Sequence, residues 1–467
     1  MIDLRKMQGS RFAVMGLGLS GMATVEALTA SAVDVVAWDD MPERCKNAKA
    51  RGIPVAPLMD QDWSSFDSLI LSPGIPHTHP APNPVVQAAR DAGVEIVGDV
   101  ELLVRAQSEA RYIGITGTNG KSTTTALVAH ILSESGMRVA VGGNLGQPVL
   151  SLEAPEGTGV DVLEMSSYQL ELAPSAAFEI AVLLNLSPDH LDRHGGMDGY
   201  IAAKYRIFEQ QKPGGIAVVG VDDADCYKLF EKLTAEHSGE VVPVSSADAT
   251  EGGIYASGPD LIDATGNTPQ QVCSLADINT LPGAHNGQNA AAAYLVCKSV
   301  GVPCDDIAAS MATYPGLPHR QQLAAVVDGV RYVNDSKATN PEAAAKALSS
   351  YHEIYWIAGG LAKEGPLDAI HPFLPNVKRA YLIGDAADRL AAQLFDHIDV
   401  ELCGDLETAM RRAGQDAAGR EAVVLLSPAC ASFDQFASFE ERGRAFCRIA
   451  AAQTAIRHKV CHDEKAS

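Results

Sequence analysis

Short apolar runs recur along the chain, and most end on a glycine, an amide or a carboxylate. They lie at 11–15, 33–38, 67–71, 112–116, 138–141, 160–163, 178–185, 354–358, 380–384 and 422–427. Stretches with helical character separate many of them, among them 99–106, 126–132 and 199–208. Strand and helix alternating in this way predict an α/β protein with mainly parallel sheets. A chain of 467 residues suggests about three domains. One break falls at 100–110 and another at Pro315-Gly-Leu-Pro318, giving expected domains at 1–105, 106–316 and 317–467. Residues 247–280 are rich in Gly, Asp and Thr and read as a hairpin with loops. The tail after about 455 reads as frayed.

In open α/β sheets, ligands gather at the carboxyl ends of the strands. The run at 112–116 ends in Gly117-Thr118-Asn119-Gly120-Lys121-Ser122-Thr123 and continues into a helix. A glycine-rich loop before a helix directs several backbone N–H groups at a phosphate. Lys121 would reach the outer phosphates, and the Ser122 hydroxyl would ligate Mg²⁺. The strict Walker spacing would need a glycine where Ile115 stands.

Nearer the start, Gly16-Leu-Gly18-Leu19-Ser20-Gly21 follows a strand, and Asp39 closes the next one. Alone, this is the dinucleotide fingerprint of a dehydrogenase, though it specifies only a diphosphate near a helix start. Gly74, in a Pro-Gly turn after the third strand, belongs to the same sheet edge. The Pro- and His-rich stretch 77–84 reads as a solvated loop.

Further strand ends carry Asn144, Glu164 with Ser166 and Gln169, and Asp189-His190-Leu-Asp192. Lys121, Asn144, Glu164 and His190 are expected to converge. A glutamate at a strand end in such a domain suits Mg²⁺, whereas Asp189 could equally be a helix cap. Lys204 stands among apolar residues on a helix, where a lysine can snorkel to solvent. Asn286 and Asn289 share one helix face. Their amides suit a purine edge, and helix capping explains at least one as well. Arg320, Lys337 and Lys363 occupy loops of an acidic chain, a pattern that favours anion binding.

A formal net charge of -22 argues against a nucleic-acid or anionic-membrane partner. Nine cysteines without a CxxC pair fit a reducing, cytoplasmic setting. Arg5, Lys6 and Arg11 before an apolar stretch imitate a signal peptide, but Gly16, Gly18, Gly21 and Glu26 interrupt it. No apolar run is long enough to span a bilayer.

Together these motifs resemble the Mur ligase family of peptidoglycan synthesis, over essentially the whole chain. Gly-Thr-Asn-Gly-Lys-Ser at 117–122 is similar to that family's phosphate loop. Asn334-Asp335-Ser-Lys337-Ala-Thr339-Asn and Ser427-Pro-Ala-Cys-Ala-Ser432-Phe433-Asp434 resemble the members that add D-glutamate. The resemblance implies three domains: a Rossmann-like UDP-binding domain, a central P-loop ATPase and a C-terminal Rossmann-like domain that binds the amino acid. It implies that ATP, D-glutamate and UDP-N-acetylmuramoyl-L-alanine are substrates, joined through an acyl phosphate. Gly117, Thr118, Asn119, Gly120, Lys121, Ser122, Thr123, Asn286, Asn289, Arg320, Asp335 and Lys337 would meet ATP. Gly18, Leu19, Ser20, Asp39, Gly74, Asn144, Ser166, Gln169 and His190 would meet the uridine substrate. Thr339, Lys363, Ser432, Phe433 and Phe439 would hold D-glutamate. Two Mg²⁺ ions are implied, one on Ser122 and Glu164 and one on His190 and a Lys204 carbamylated by CO₂. Lys121, His190, Lys204 and Arg320 would be the catalytic residues. A monomer without nucleic-acid or membrane partners is expected.

Overall fold

The computed structural model describes residues 1–155, 159–247, 249–278, 280–361 and 367–464, with side-chain detail up to 453. It holds three sheets. In the first, β1 (Arg11–Met15), β2 (Asp34–Trp38), β3 (Ser68–Leu71) and β4 (Glu95–Val97) run parallel in the order 2-1-3-4. Their apolar residues are buried on both faces, as parallel strands under helices require.

The second sheet comprises β5 (Arg111–Thr116), β6 (Val139–Gly143), β7 (Val160–Glu164), β8 (Ile180–Leu183), β9 (Ile216–Gly220), β10 (Glu240–Ser245), β11 (Ile254–Ser257), β12 (Asp260–Asp263) and β13 (Gln270–Ser274). Their order is 13-12-11-10-9-8-5-7-6. All neighbours pair in parallel except β11–β12 and β12–β13. The stretch expected to form one hairpin therefore supplies three strands, two of them antiparallel extensions of the sheet. β5 lies between β7 and β8, so its carboxyl end faces the ends of both.

The third sheet has β14 (Gln322–Val327), β15 (Val330–Asn334), β16 (Ile354–Gly359), β17 (Val377–Ile383), β18 (Asp399–Gly404) and β19 (Val423–Leu426), in the order 14-15-19-16-17-18. Only the β14–β15 hairpin is antiparallel. A helix over Phe439–Glu464 closes the described chain, continuing past the point where a frayed tail is expected.

Two compact units result. Met1–Leu275 and His285–Tyr314 make one, and Ala276–Ala284 with the chain from Pro315 on make the other. Among the described residues no helix is long and apolar enough to cross a membrane.

Buried polar residues interrupt the apolar pattern, Asp161 among them. Asp161 on β7 is fully buried and neither carboxylate oxygen has a hydrogen-bond partner. Burial pushes its pKa up to about 7, because the charged form has no compensation in a low-dielectric interior.

Candidate active site

The loop after β5 is held from all sides. The N–H of Thr118 donates to the Asn185 carbonyl at 2.8 Å, and the N–H of Asn119 donates to the Asn185 side chain at 2.8 Å. The Thr118 hydroxyl lies 3.0 Å from the Tyr200 hydroxyl. Gly120 has φ +86°, and a Cβ there would collide with Asn289 Oδ1, so only glycine fits. Asn289 in turn accepts from the Thr124 hydroxyl and donates to Asn286. Both asparagines are buried behind the loop. Ser122 and Thr123 lie in the first turn of the helix Lys121–Glu134, which brings its N–H groups and positive dipole end to the loop.

Lys121 Nζ donates to the carbonyls of Gly117 and Thr118, each at 2.9 Å. Lys204 Nζ also reaches Gly117 O at 2.9 Å and Thr116 Oγ1 at 3.3 Å, from the helix Met197–Glu209. Lys204 is 2% exposed, so it does not snorkel. Burial first, and the nearby Lys121 charge second, lower its pKa well below the usual lysine value.

Glu164 closes β7 and is 1% exposed. Its Oε1 accepts from the Asn144 amide at 2.7 Å. Its Oε2 is buried without a hydrogen-bond partner, an orphaned anionic oxygen at a strand end. His190 sits at φ +51° before the short helix Leu191–His194. It is half exposed, 3.6 Å from Asp189 and beside the Tyr168 ring.

A cavity of about 640 Å³ opens at the ends of β1 and β3. Gly18, Leu19, Ser20, Asp39, Gly74, Asn144, Ser166 and Gln169 all line it, and His190 does not. Arg44 and Tyr168 line it too, and sequence reasoning missed both. Arg44 follows Asp39 by five residues, in the first turn of the helix Pro42–Ala50, and that short separation was the available signal. The Asp39 carboxylate accepts from the N–H groups of Leu17 (2.6 Å) and Met41 (2.8 Å) and from Arg44 (3.2 Å). Burial opposes its charge, but these donors outweigh burial and hold its pKa below the usual carboxylate range.

In the second unit, Asp335 is buried and accepts from the Ser427 hydroxyl at 2.8 Å and the Gln321 N–H at 3.2 Å. Burial raises its pKa to about 7, against these donors and the Arg320 charge. Arg320 Nε is buried without a hydrogen-bond partner. Lys337 lies over the Phe439 ring, 5.8 Å from its centre, and Thr339 follows two residues later, its N–H on the Lys337 carbonyl. Ser432 is buried, whereas Phe433 is 71% exposed. Lys363 lies outside the described residues. Arg442 escaped sequence reasoning. It is 1% exposed and donates to Ser336, both side chain and carbonyl, and to the Cys430 carbonyl at 3.0–3.1 Å. It ties the two loops that carry Asp335 and Ser432.

The 77–84 stretch needs a correction. His77 is buried, not solvated, because it packs against Glu171 at the end of the helix Ser167–Glu171.

A phosphate loop with a buried second lysine, beside a separate diphosphate-sized cavity, defines a P-loop ligase, and comparison with known proteins agrees. Residues 10–98 match the Mur ligase MurD-like N-terminal domain, 115–297 the Mur ligase middle domain and 319–430 the Mur ligase glutamate ligase domain. The chain belongs to the Mur ligase family and has its three-domain α/β fold. A UDP-N-acetylmuramoylalanine--D-glutamate ligase of Caulobacter sp. (strain K31) is 48% identical, covering 96% of this chain and 97% of the relative. One from Rhodospirillum rubrum is 49% identical over 97% of this chain and 96% of its own length. The crystal structure of UDP-N-acetylmuramate-alanine ligase from Thermotoga maritima superposes with a TM-score of 0.57 at 19% identity, covering 95% of this chain and 99% of that one.

Proposed function

We propose that this ligase joins the amine of D-glutamate to the carboxyl of UDP-N-acetylmuramoyl-L-alanine at the expense of ATP, in cytoplasmic peptidoglycan precursor synthesis, as a monomer. The supporting observation is Asn144, which lines the large cavity and donates to Glu164. Glu164 in turn pairs with Ile115 at the end of β5, just before the Gly117–Thr123 loop, so a sugar nucleotide in that cavity and an ATP on the loop would be linked through Asn144 and Glu164. The assigned division is a UDP domain at 1–105, an ATPase domain at 106–316 and an amino-acid domain at 317–467.

A carboxylate and an ammonium do not condense in water, so the carboxylate must first gain a leaving group. One of its oxygens attacks the γ-phosphorus of ATP, ADP departs and an acyl phosphate forms. The amine of D-glutamate, having lost a proton, attacks the carbonyl carbon and phosphate departs. The first step brings two anions together, so catalysis rests on alignment and charge neutralisation. Lys121 and the loop N–H groups meet the phosphates. Arg320, Asp335 and Lys337 are assigned to ATP as well, with Asn286 and Asn289 behind the loop. His190 is assigned to the acceptor end of the sugar nucleotide, near the reacting carboxylate.

The orphaned Glu164 oxygen and the Ser122 hydroxyl fit a Mg²⁺ ion. Among the described residues no cluster of three His, Cys, Asp or Glu could hold a metal ion; phosphate oxygens and waters would complete the set that Ser122 and Glu164 begin. Mg²⁺, when bound, supplies charge neutralisation at the phosphates. Ser122 and Glu164 would hold one ion, and His190 and Lys204 a second. Lys204 suits that role only as an anion. Its depressed pKa leaves a neutral amine able to add CO₂ and release a proton, giving a carbamate.

Thr339, Ser432, Phe433, Phe439 and Lys363 are assigned to D-glutamate. Hydroxyl donors and a point charge can hold two carboxylates at a fixed spacing. Such a pair rejects D-aspartate by length and L-glutamate by misplacing the amine, on the order of 10⁴-fold. Phosphate release tests the proposal, with ATP, UDP-N-acetylmuramoyl-L-alanine and D-glutamate omitted in turn. L-Glutamate, D-aspartate and meso-diaminopimelate then replace D-glutamate. Turnover without the sugar nucleotide sinks the ligase reading, and a better acceptor than D-glutamate sinks the substrate assignment alone.

A further inference from the structure

The walls of the large cavity come from two sheets. Gly74 and its neighbours follow β3 of the first sheet, while Ser166, Tyr168 and Gln169 follow β7 of the second. Three contacts tie these walls together just outside the cavity. Arg193 Nη1 donates to the Gly74 carbonyl at 2.9 Å. His77 Nε2 lies 3.6 Å from Glu171 Oε2. His79 lies against Gly195, where a Cβ would come within 2.8 Å of its Nε2.

Behind these contacts is a rigid stack. The Arg193 guanidinium lies over the Tyr168 ring, 4.7 Å from its centre. Tyr168 stacks on the His194 ring at 5.2 Å and 14°. His194 places Nε2 2.9 Å from the Ser167 hydroxyl and Nδ1 3.4 Å from the same Glu171 oxygen that faces His77. The His194 side chain is fully buried. Burial keeps the His77 imidazole below its usual pKa, against the pull of Glu171 and with the repulsion of Arg90, Arg193 and His194.

We infer that Arg193, Glu171 and His194 are positioning residues that clasp the 73–79 loop against the helices Ser167–Glu171 and Leu191–His194 and so set the affinity for the sugar nucleotide. The inference rests on the assignment of the cavity to the uridine substrate. A ligand that touches both walls gains from their being held at a fixed separation, because less order must be imposed on binding. A planar guanidinium satisfies the cation–π contact and the Gly74 carbonyl together, which an ammonium does less well. None of the three residues lines the cavity.

The test compares Arg193→Gln, Arg193→Lys, Glu171→Gln and His194→Phe with the parent chain. UDP binding is measured by calorimetry, and KM and kcat by phosphate release. Arg193→Gln and Glu171→Gln should raise the Kd for UDP and the KM for the sugar nucleotide about tenfold, leaving kcat within about twofold and the KM for ATP unchanged, the pattern of lost uniform binding. Arg193→Lys should recover part of the affinity. If the parent chain does not bind UDP, the assignment of the cavity fails and takes the clasp with it. If the parent binds UDP and the Arg193 and Glu171 variants bind it equally well, the clasp alone is overturned. A fall in kcat with unchanged KM also overturns it. Should His194→Phe not fold, the isosteric Glu171→Gln and the half-buried Arg193→Gln decide the matter.

Discussion

Lys121 and Lys204 converge on one acceptor: both side-chain nitrogens lie 2.9 Å from the carbonyl oxygen of Gly117. Two amines so close in a buried place cannot both carry a proton cheaply, and Lys204, the more buried, is the one that gives way. Its neutral amine is the form that adds CO₂. Lys204→Ala should therefore lower turnover at least ~100-fold, the scale of a removed electrostatic element, and short carboxylic acids should restore part of it. Growth with ¹³C-bicarbonate should give a carbamate carbonyl resonance in the parent chain that is missing from Lys204→Ala. An active alanine variant counts against the modification.

Lys121→Ala should keep the fold and lose about 10²–10³-fold in kcat. Lys121 bonds two loop carbonyls, but Asn185, Tyr200 and Asn289 also hold the loop and remain in the variant. Circular dichroism and thermal unfolding should overlay those of the parent, while phosphate release falls.

Asp161 makes stability depend on pH. Its folded pKa, about 7, stands above the unfolded value near 3.8. The unfolded chain gives up this proton first, so the contribution is fully present below about pH 4 and is lost as pH rises through 7. Asp161→Asn should already stabilise somewhat at pH 5, where the unfolded carboxyl has lost its proton, and should stabilise more at pH 8, the gain between the two being about 1–3 kcal/mol once relaxation reduces the limiting value. Urea unfolding at both pH values measures this. A difference between variant and parent that is the same at pH 5 and pH 8 excludes the assignment.

Arg442 has the opposite sign. Burial lowers its pKa only to about 10, so it stays charged while it satisfies Ser336 and Cys430. Arg442→Met leaves those carbonyls unpaired in the interior, and a loss of about 2–4 kcal/mol in the second unit is expected. Arg442→Lys should recover little, because one ammonium cannot span the acceptors that a fork reaches. Denaturant midpoints of the three chains check both expectations.

The phosphate loop and the sheets were legible because their signals are local. β-Branched runs, Gly120 at a left-handed turn and the Ser122–Thr125 helix start each act over a few residues. Eight of the nine residues expected at this cavity line it, since they follow strands of two sheets whose carboxyl ends face it. Arg442, Asn185, Tyr168 and His77 were not legible. Each works through a partner that is distant in sequence, as with Arg442 and Ser336 or His77 and Glu171, and nothing beside them in the chain marks that partner. Residues 247–280 misled for another reason. Turn-rich composition marks where strands end, not how many there are, and β11, β12 and β13 are each too short to show an alternation.

Asp39 bears on attempts to re-engineer the first domain. In nucleotide-binding folds the acid after the second strand is the usual lever for changing cofactor preference, because it reads the ribose. Here that carboxylate is occupied by Leu17, Met41 and Arg44. Exchanging it would not retune selectivity toward another nucleotide. It would unfasten the glycine turn from β2. A search by motif spacing alone would group this loop with the dehydrogenases, whereas residues 10–98 as a whole match the MurD-like N-terminal domain.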